Sequence, residues 1–289
     1  MPAVAVHEVL AAASGRLREA GFAAADAAAD VGVLARHLLR WDRGQLLARR
    51  LDAAPDGFGP ALDGLVSRRL ERVPVAYLTG VREFYGLDFE VTPAVLIPRP
   101  ETEIVVEAAL PLLARTLDAR VADVGTGCGN IAVTLAHEAR QCAVVATDVS
   151  ADALAVARRN AARHGVSARV EFVCTPYLTG VDGPFDLIAA NPPYVRDIDR
   201  KGLSPTVLHE PAVALFGGAN GMRDIEGVLA ATVEKLRPGG WLIMEFGFGQ
   251  EDDVRARVAA HDALRLDRVV ADLQGLPRTA VITYVAARR

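Results

Sequence analysis

Three short stretches of this 289-residue chain carry side chains whose types and spacing could do chemistry. The first is Asp123-Val124-Gly125-Thr126-Gly127-Cys128-Gly129-Asn130, directly after an apolar run. The second is Asp148, the last residue of the next apolar run, 142–148. The third is Asn191-Pro192-Pro193-Tyr194, which closes the buried-looking run Phe185-Asp186-Leu187-Ile188-Ala189-Ala190. Gly125, Gly127 and Gly129 permit close backbone approach and unusual φ values. Their G-x-G-x-G pattern is neither the dinucleotide fingerprint nor the phosphate loop, and no Lys follows to hold phosphates. An acid at the end of the second strand can accept both hydroxyls of a ribose. Asp123 can orient the loop or meet a cationic group on the ligand. The combination points to a nucleoside without a pyrophosphate, and S-adenosylmethionine fits: ribose, adenine and a sulfonium.

Asn-Pro-Pro-Tyr adds the second reactant. Ligands of open α/β sheets lie outside the carboxyl ends of the strands near the switch point, so Asn191 is expected to face the crevice of the glycine loop. Pro192 and Pro193 remove two backbone donors and fix two φ angles. A planar NH2 group would find two acceptors there, Asn191 Oδ1 and the Pro192 carbonyl, with Tyr194 stacked on its plane. Accepting both protons raises the electron density on nitrogen and aims its lone pair. That is catalysis by orientation and preorganised polar groups, without an obligatory strong base.

The bulk numbers fit an enzyme acting inside the cell. Net charge is −4 and the charges are mixed, so there is no basic footprint for duplex nucleic acid. Cys128, Cys142 and Cys174 are an odd number without a CxxC, which argues against disulfides and zinc and for a reducing cytoplasm. Cys128 reads as a small filler of the loop. The six histidines are scattered, and only His209 is a candidate for touching substrate. No run approaches the roughly 18 apolar residues of a membrane helix. A soluble monomer without a metal is expected.

The elements that must position these residues follow from periodicity. Residues 1–75 read as helices only, with Leu62, Leu65, Val66, Leu70 and Val73 forming a core-facing stripe. Residues 76–100 read as a β-hairpin linker, and a helix follows through about Leu113. From 120 on, strands are expected at 120–125, 142–148, 168–173, 185–191 and 241–247, with a turn at 237–240. Helices are expected at 130–139, 150–165, about 222–236 and about 250–260, and two last strands at about 264–271 and 279–286. Alternating βαβ units imply a parallel sheet covered on both faces, and the last two strands, with no helix between them, pair antiparallel.

At this point the chain resembles the class I S-adenosylmethionine-dependent methyltransferases, and more closely the release-factor glutamine methyltransferase family (PrmC/HemK). The matching segments are RVPVAYLTGVREFYGLDFEVTPAVLIPRPETE (72–103), DVGTGCGNIAVTLA (123–136), TDVSADALAVARRNA (147–161), FDLIAANPPYV (185–195), HEPAVALFGGANGM (209–222) and LRPGGWLIMEFGFGQ (236–250). The resemblance implies an N-terminal helical bundle (1–75) that docks the substrate and the hairpin linker (76–100). It also implies a Rossmann-like α/β domain (101–289) with a mostly parallel seven-stranded sheet, its last strand antiparallel. It implies methyl transfer to the side-chain amide nitrogen of the glutamine in the Gly-Gly-Gln loop of peptide-chain release factors. Carried over, Asp123, Gly125, Thr126, Gly127, Cys128, Gly129, Asp148, Pro176 and Asn191 bind the cofactor. Asn191, Pro192, Pro193 and Tyr194 hold the glutamine amide, with Arg99 and Glu101 near the mouth of the site. Two departures stand out. The chain reads Cys174-Thr175-Pro176 where the family usually carries a Gly/Ser-Asp pair, and His209 stands where an aromatic residue is usual. They leave two other acceptors open: a nitrogen of a small metabolite, and adenine in nucleic acid.

Overall fold

A computed structural model describes residues 4–285. The chain divides into two compact units. One runs to Gly80 and takes in Ser204–His209; the other comprises Val81–Leu203 and the chain from Glu210 onward.

The first unit is a bundle of α1 (Val6–Glu19), α2 (Ala24–Leu39), α3 (Arg43–Ala48), α4 (Phe58–Leu70) and α5 (Val75–Thr79). Leu17, Leu34, Leu62 and Val66, all fully buried, meet at its centre. Helix α3 buries no residue, which is why hydrophobic periodicity does not reveal it. A capping box starts it instead. Asp42 Oδ1 accepts from the Gln45 N–H at 2.7 Å, and Gln45 Oε1 accepts from the Asp42 N–H at 2.9 Å. Buried Arg69 donates to Asp30 Oδ2 at 2.7 Å and to Thr206 Oγ1 at 3.1 Å, tying α2 and Ser204–His209 to α4.

The second unit opens with the hairpin β1 (Val81–Phe84) and β2 (Leu87–Glu90). Its two-residue turn, Tyr85-Gly86, has both φ values positive, 52° and 75°, the twist that suits a tight hairpin. Helix α6 (Glu103–Leu113) follows a 3-10 turn at Pro100–Thr102. Then come β3 (Arg120–Val124), α7 (Asn130–Glu138), β4 (Ala143–Asp148), α8 (Ala151–Arg163), β5 (Val170–Cys174), β6 (Phe185–Ala190), the short α9 (Ala212–Leu215) and α10 (Arg223–Lys235). The unit ends with β7 (Leu236–Glu245), α11 (Glu251–Ala259), β8 (Leu264–Ala271) and β9 (Pro277–Tyr284). Strands β3 to β9 form one sheet in the order β5-β4-β3-β6-β7-β9-β8. Only β9 runs against the others. The central strands β3 and β6 are buried almost throughout, as expected of parallel strands covered on both faces. Among the described residues no helix is long and apolar enough to cross a membrane.

Three elements differ from their sequence reading. Helix α5, Val75–Thr79, occupies the start of the stretch expected as the hairpin linker (76–100). Ser167–Arg169 form a 3-10 turn, so β5 begins at Val170. Residues 237–240, expected as a turn before the strand, lie inside β7. Phe185 faces Leu236 but Leu187 faces Trp241, so these residues bulge out of the ladder, with Gly239 at a φ of 79°. A Pro and two Gly are tolerated in a strand where such a bulge removes the need for regular pairing.

The strand order places the site. Chain progress from β3 goes outward through β4 and β5, then returns to the other side of β3 as β6. The switch point is therefore between β3 and β6, where Val124 pairs with Ala190. Gly125 and Asn191 leave the sheet side by side, as the crevice rule for open α/β sheets requires.

Candidate active site

The glycine loop turns from β3 into α7 with φ values of 74°, 56° and 86° at Gly125, Gly127 and Gly129. The three are not equivalent. A Cβ on Gly125 or Gly127 would enter open space, whereas one on Gly129 would press on Ala157 of α8 at 3.1 Å. Gly129 therefore serves helix packing, and Gly125 and Gly127 leave room for a ligand. The N–H groups of Gly125 and Thr126 both donate to the Thr147 carbonyl, at 2.9 and 2.8 Å. Asp123 is fully buried beneath the loop. Its Oδ2 accepts from the Thr126 hydroxyl at 2.6 Å and from the Ala132 N–H at 3.0 Å, while Oδ1 makes no hydrogen bond among the described residues. Burial pushes this carboxyl up to about 7 against the pull of those two donors. Cys128 is buried, and burial pushes its thiol up to about 12, so it is held as a neutral filler.

Asp148 closes β4 and links the loop to the next helix. Its Oδ2 accepts from the Gly127 N–H and its Oδ1 from the Ser150 N–H, both at 2.9 Å. Each oxygen keeps a lone pair for a further donor. Burial raises its pKa, against the backbone N–H groups it accepts from.

A cavity of about 180 Å³ lies over these strand ends, lined by Gly125, Gly127, Asp148, Pro176, Asn191 and Pro192 among others. A smaller one of about 30 Å³ adjoins it, lined by Arg99, Thr102, Thr126, Cys128 and Asn191. Leu96, Gly125, Gly127 and Asn191 line both, so the two form one crevice with Asn191 at its waist. The floor past β5 carries no acid, as Cys174-Thr175-Pro176 predicts. An acid nevertheless lines that end. Asp224, from α10, accepts from the Tyr177 hydroxyl at 3.0 Å, and both residues line the larger cavity.

Asn191 donates from Nδ2 to Thr102 Oγ1 at 3.0 Å. Its Oδ1 and the Pro192 carbonyl accept no hydrogen bond from the described residues. Pro193 lines the larger cavity. The loop is clamped from behind by two of the segments singled out above. Val195 donates to the Leu215 carbonyl and accepts from the Gly217 N–H, both at 2.9 Å, and Gln250 Nε2 donates to the Tyr194 carbonyl at 2.9 Å. A Cβ on Gly217 would overlap the Pro193 carbonyl, and one on Gly221 the Tyr194 carbonyl.

The structure does not bring every expected residue to the crevice. Tyr194 lines neither cavity. Its hydroxyl donates to Glu245 Oε1 at 3.0 Å, and that end of the half-buried ring is thereby satisfied. The hydroxyl end of the ring is thus tied to the end of β7. Glu101 lines neither cavity either. Arg99 does line the smaller one, and it forms an ion pair with the buried Glu210, which also accepts from the Ile97 N–H at 2.9 Å. His209 is exposed, with Nε2 at 3.0 Å from the Glu71 carbonyl in the helical unit, so nothing ties it to the crevice. Sequence reasoning missed Thr102, Glu210, Tyr177 and Asp224. Thr102 and Glu210 sit inside the segments PETE and HEPA, where their company was a signal; Tyr177 and Asp224 had none.

Residues 8–80 match the PrmC N-terminal domain, and residues 103–218 match the methyltransferase small domain. Among curated proteins, the chain is 44% identical over 225 residues to the release factor glutamine methyltransferase of Koribacter versatilis, covering 76% of this chain and 78% of that one. It is 40% identical over 257 residues to the protein of the same name from Moorella thermoacetica, covering 87% and 89%. Among solved structures, the hMettl16 catalytic domain superposes with a TM-score of 0.57 at 18% identity, covering 75% of this chain and 81% of that one; this likeness is one of fold. With that identity running through both the helical unit and the crevice, the chain belongs to the release factor glutamine methyltransferase family.

Proposed function

We propose that this chain methylates the side-chain amide nitrogen of the glutamine in the Gly-Gly-Gln loop of a peptide-chain release factor, using S-adenosylmethionine. The observation that carries the reading is the pairing of Val124 with Ala190. It sets a ligand-ready glycine loop beside an asparagine whose Oδ1 is unclaimed.

The crevice fits the nucleoside. Open space stands over Gly125 and Gly127 where side chains would lie. Asp148 offers two spare acceptor lone pairs to a diol, and Pro176, Tyr177 and Val228 give an apolar wall for a base. When bound, S-adenosylmethionine supplies a methyl group on a positively charged sulfur, which leaves with the bonding electron pair. Asn191 Oδ1 and the Pro192 carbonyl accept the two N–H bonds of the glutamine amide. They hold its plane so that the nitrogen lone pair points along the crevice. The prolines keep that carbonyl in place without adding competing donors. Both acceptors draw partial positive charge from the nitrogen's hydrogens as the N–C bond forms, so they act most strongly in the transition state. The surplus proton leaves nitrogen after transfer. Asp123 maintains the loop from below, and the helical unit docks the folded release factor.

The test is methyl transfer from labelled S-adenosylmethionine to purified release factor. Label located on the Gly-Gly-Gln glutamine by mass spectrometry, and lost with Asn191→Ala, supports the reading. A chain that binds S-adenosylhomocysteine but leaves the release factor unlabelled refutes it.

A further inference from the structure

The crevice holds a second acid besides Asp148, and the chemistry above does not use it. Asp224 is the second residue of α10, with 16% of its side chain exposed. It lines the larger cavity together with Tyr177 and Val228. Asp224 and Val228 are four residues apart, so they share one face of α10. Both carboxylate oxygens are engaged but not filled. Oδ1 accepts from the Tyr177 hydroxyl at 3.0 Å and Oδ2 from Arg223 Nη2 at 2.8 Å, and each oxygen keeps a lone pair. Tyr177 is itself built into its place. It sits at a φ of 51°, uncommon for a residue with a side chain. Its carbonyl accepts from Thr147 Oγ1 at 2.6 Å. Its ring fills the space over Gly227 of α10, where a Cβ would come within 2.1 Å of it. Burial and the neighbouring Asp224 push its phenol up to about 12, so the hydroxyl keeps the proton it shares with Asp224.

The side-chain donors around Asp224 are already spent. The Thr175 hydroxyl donates to the Thr179 carbonyl at 2.9 Å, and the Tyr177 hydroxyl has given its one proton to Asp224. Pro176 has no N–H to offer, and the Thr175 N–H goes to the Asp148 carbonyl at 3.0 Å. These side chains therefore present acceptors to a ligand. Resting on the functional reading above, we propose that Asp224 is a specificity-determining residue for the cofactor, accepting an N–H of the adenine 6-amino group and so selecting a 6-aminopurine over a 6-oxopurine. That amino group is the only N–H donor of an adenine joined to ribose, so it is the only part of the base that a carboxylate can hold. A base laid against Tyr177 and Val228 brings its edge to the acid that touches the first and shares a helix face with the second. A carbonyl oxygen at the same place would set lone pairs against lone pairs and leave both unpaired. Helix α10 thus supplies, across the cavity, the acid that Cys174-Thr175-Pro176 lacks.

Calorimetry of the full chain with two ligands tests this: S-adenosylhomocysteine, and S-inosylhomocysteine, which carries oxygen in place of the 6-amino group. The wild type should bind the adenosyl compound about 10- to 100-fold more tightly, the range for a hydrogen bond to a charged acceptor. Asp224→Ala and Asp224→Asn should each bring the two affinities close together. In Asp224→Ala the change should come from weaker binding of the adenosyl compound. In Asp224→Asn it should come also from tighter binding of the inosyl compound, because the new NH2 group can donate to its carbonyl. Equal affinities in the wild type, or the wild-type ratio kept in both variants, overturn the inference. If Asp224→Ala does not fold, the near-isosteric Asp224→Asn decides against the wild type. A wild type that binds neither compound fails the cofactor reading itself. A chain that shows the expected preference yet leaves the release factor unlabelled keeps this inference and loses only the methyl acceptor.

Discussion

Asp148 Oδ2 accepts from the Gly127 N–H across 2.9 Å, so the acid that ends β4 is built into the glycine loop that follows β3. The same carboxylate takes the Ser150 N–H at the start of α8. One side chain thereby shapes the loop, starts the helix and keeps two lone pairs for a ligand. Asp148→Ala should weaken S-adenosylhomocysteine binding by about 10- to 100-fold, the range for losing charge-assisted hydrogen bonds. Asp148→Asn, which retains one acceptor, should fall between. Isothermal calorimetry on the three proteins checks the order, and equal affinities would remove Asp148 from the nucleoside site.

The rear clamp on residues 191–195 depends on missing side chains. Gly217→Ala drives a Cβ into the Pro193 carbonyl, and Gly221→Ala does the same to Tyr194 at a residue whose φ is 76°. Both should destabilise the chain by about 1–3 kcal/mol, as overpacking does. They should also lower kcat, because the Asn191 acceptor and the Pro192 carbonyl shift together. Denaturant unfolding and steady-state kinetics read the two effects. A variant with lost stability but full kcat would show that the clamp supports the fold without aiming the loop.

These relationships mark the limit of what the sequence discloses. The glycine loop, Asp148 and Asn191 are legible because each is a compact motif at the end of an apolar run. The sheet is legible because strand and helix periods alternate so regularly. Thr102 and Glu210 are opaque for the opposite reason. Their meaning lies in contacts with residues 89 and 111 positions away, and no local pattern encodes such a pairing. The partner of Tyr194 is hidden for the same cause: the acid that claims its hydroxyl lies at the end of another strand. Helix α3 escaped because it is held by a capping box and buries nothing.

The Glu245 network predicts a pH dependence. Burial pushes the Glu245 carboxyl up to about 7, against the Thr102 and Tyr194 hydroxyls and Arg278 of β9, with Glu101 adding to the rise. Arg99 acts on the same cluster through Tyr194. Stability follows the protonation of this carboxyl. A carboxyl with a raised folded-state pKa holds its proton where the unfolded chain releases it, so the unfolding free energy falls as pH climbs from the ordinary carboxylate range to about 7. Asp123, also raised to about 7, contributes in the same window. Denaturant midpoints measured across it should decline less steeply in Glu245→Gln and in Asp123→Asn than in the wild type.

The ion pair between Arg99 and Glu210 yields a prediction of sign. Glu210 is buried to 1% of its side-chain surface, and Arg99 is a third exposed. Removing the arginine leaves a buried carboxylate with, among the described residues, only the Ile97 N–H for company. Arg99→Ala should therefore destabilise the chain by about 3 kcal/mol, the lower end of the range for orphaning a buried charge, since solvent reaches one partner. The paired change Arg99→Ala with Glu210→Gln removes the orphaned charge while keeping an acceptor for Ile97. It should be more stable than Arg99→Ala alone, although it lacks one more ionic group. Thermal unfolding of the two variants side by side decides it. If the double variant is the weaker, the cost of losing Arg99 comes from its packing against the small cavity and not from the charge it leaves behind.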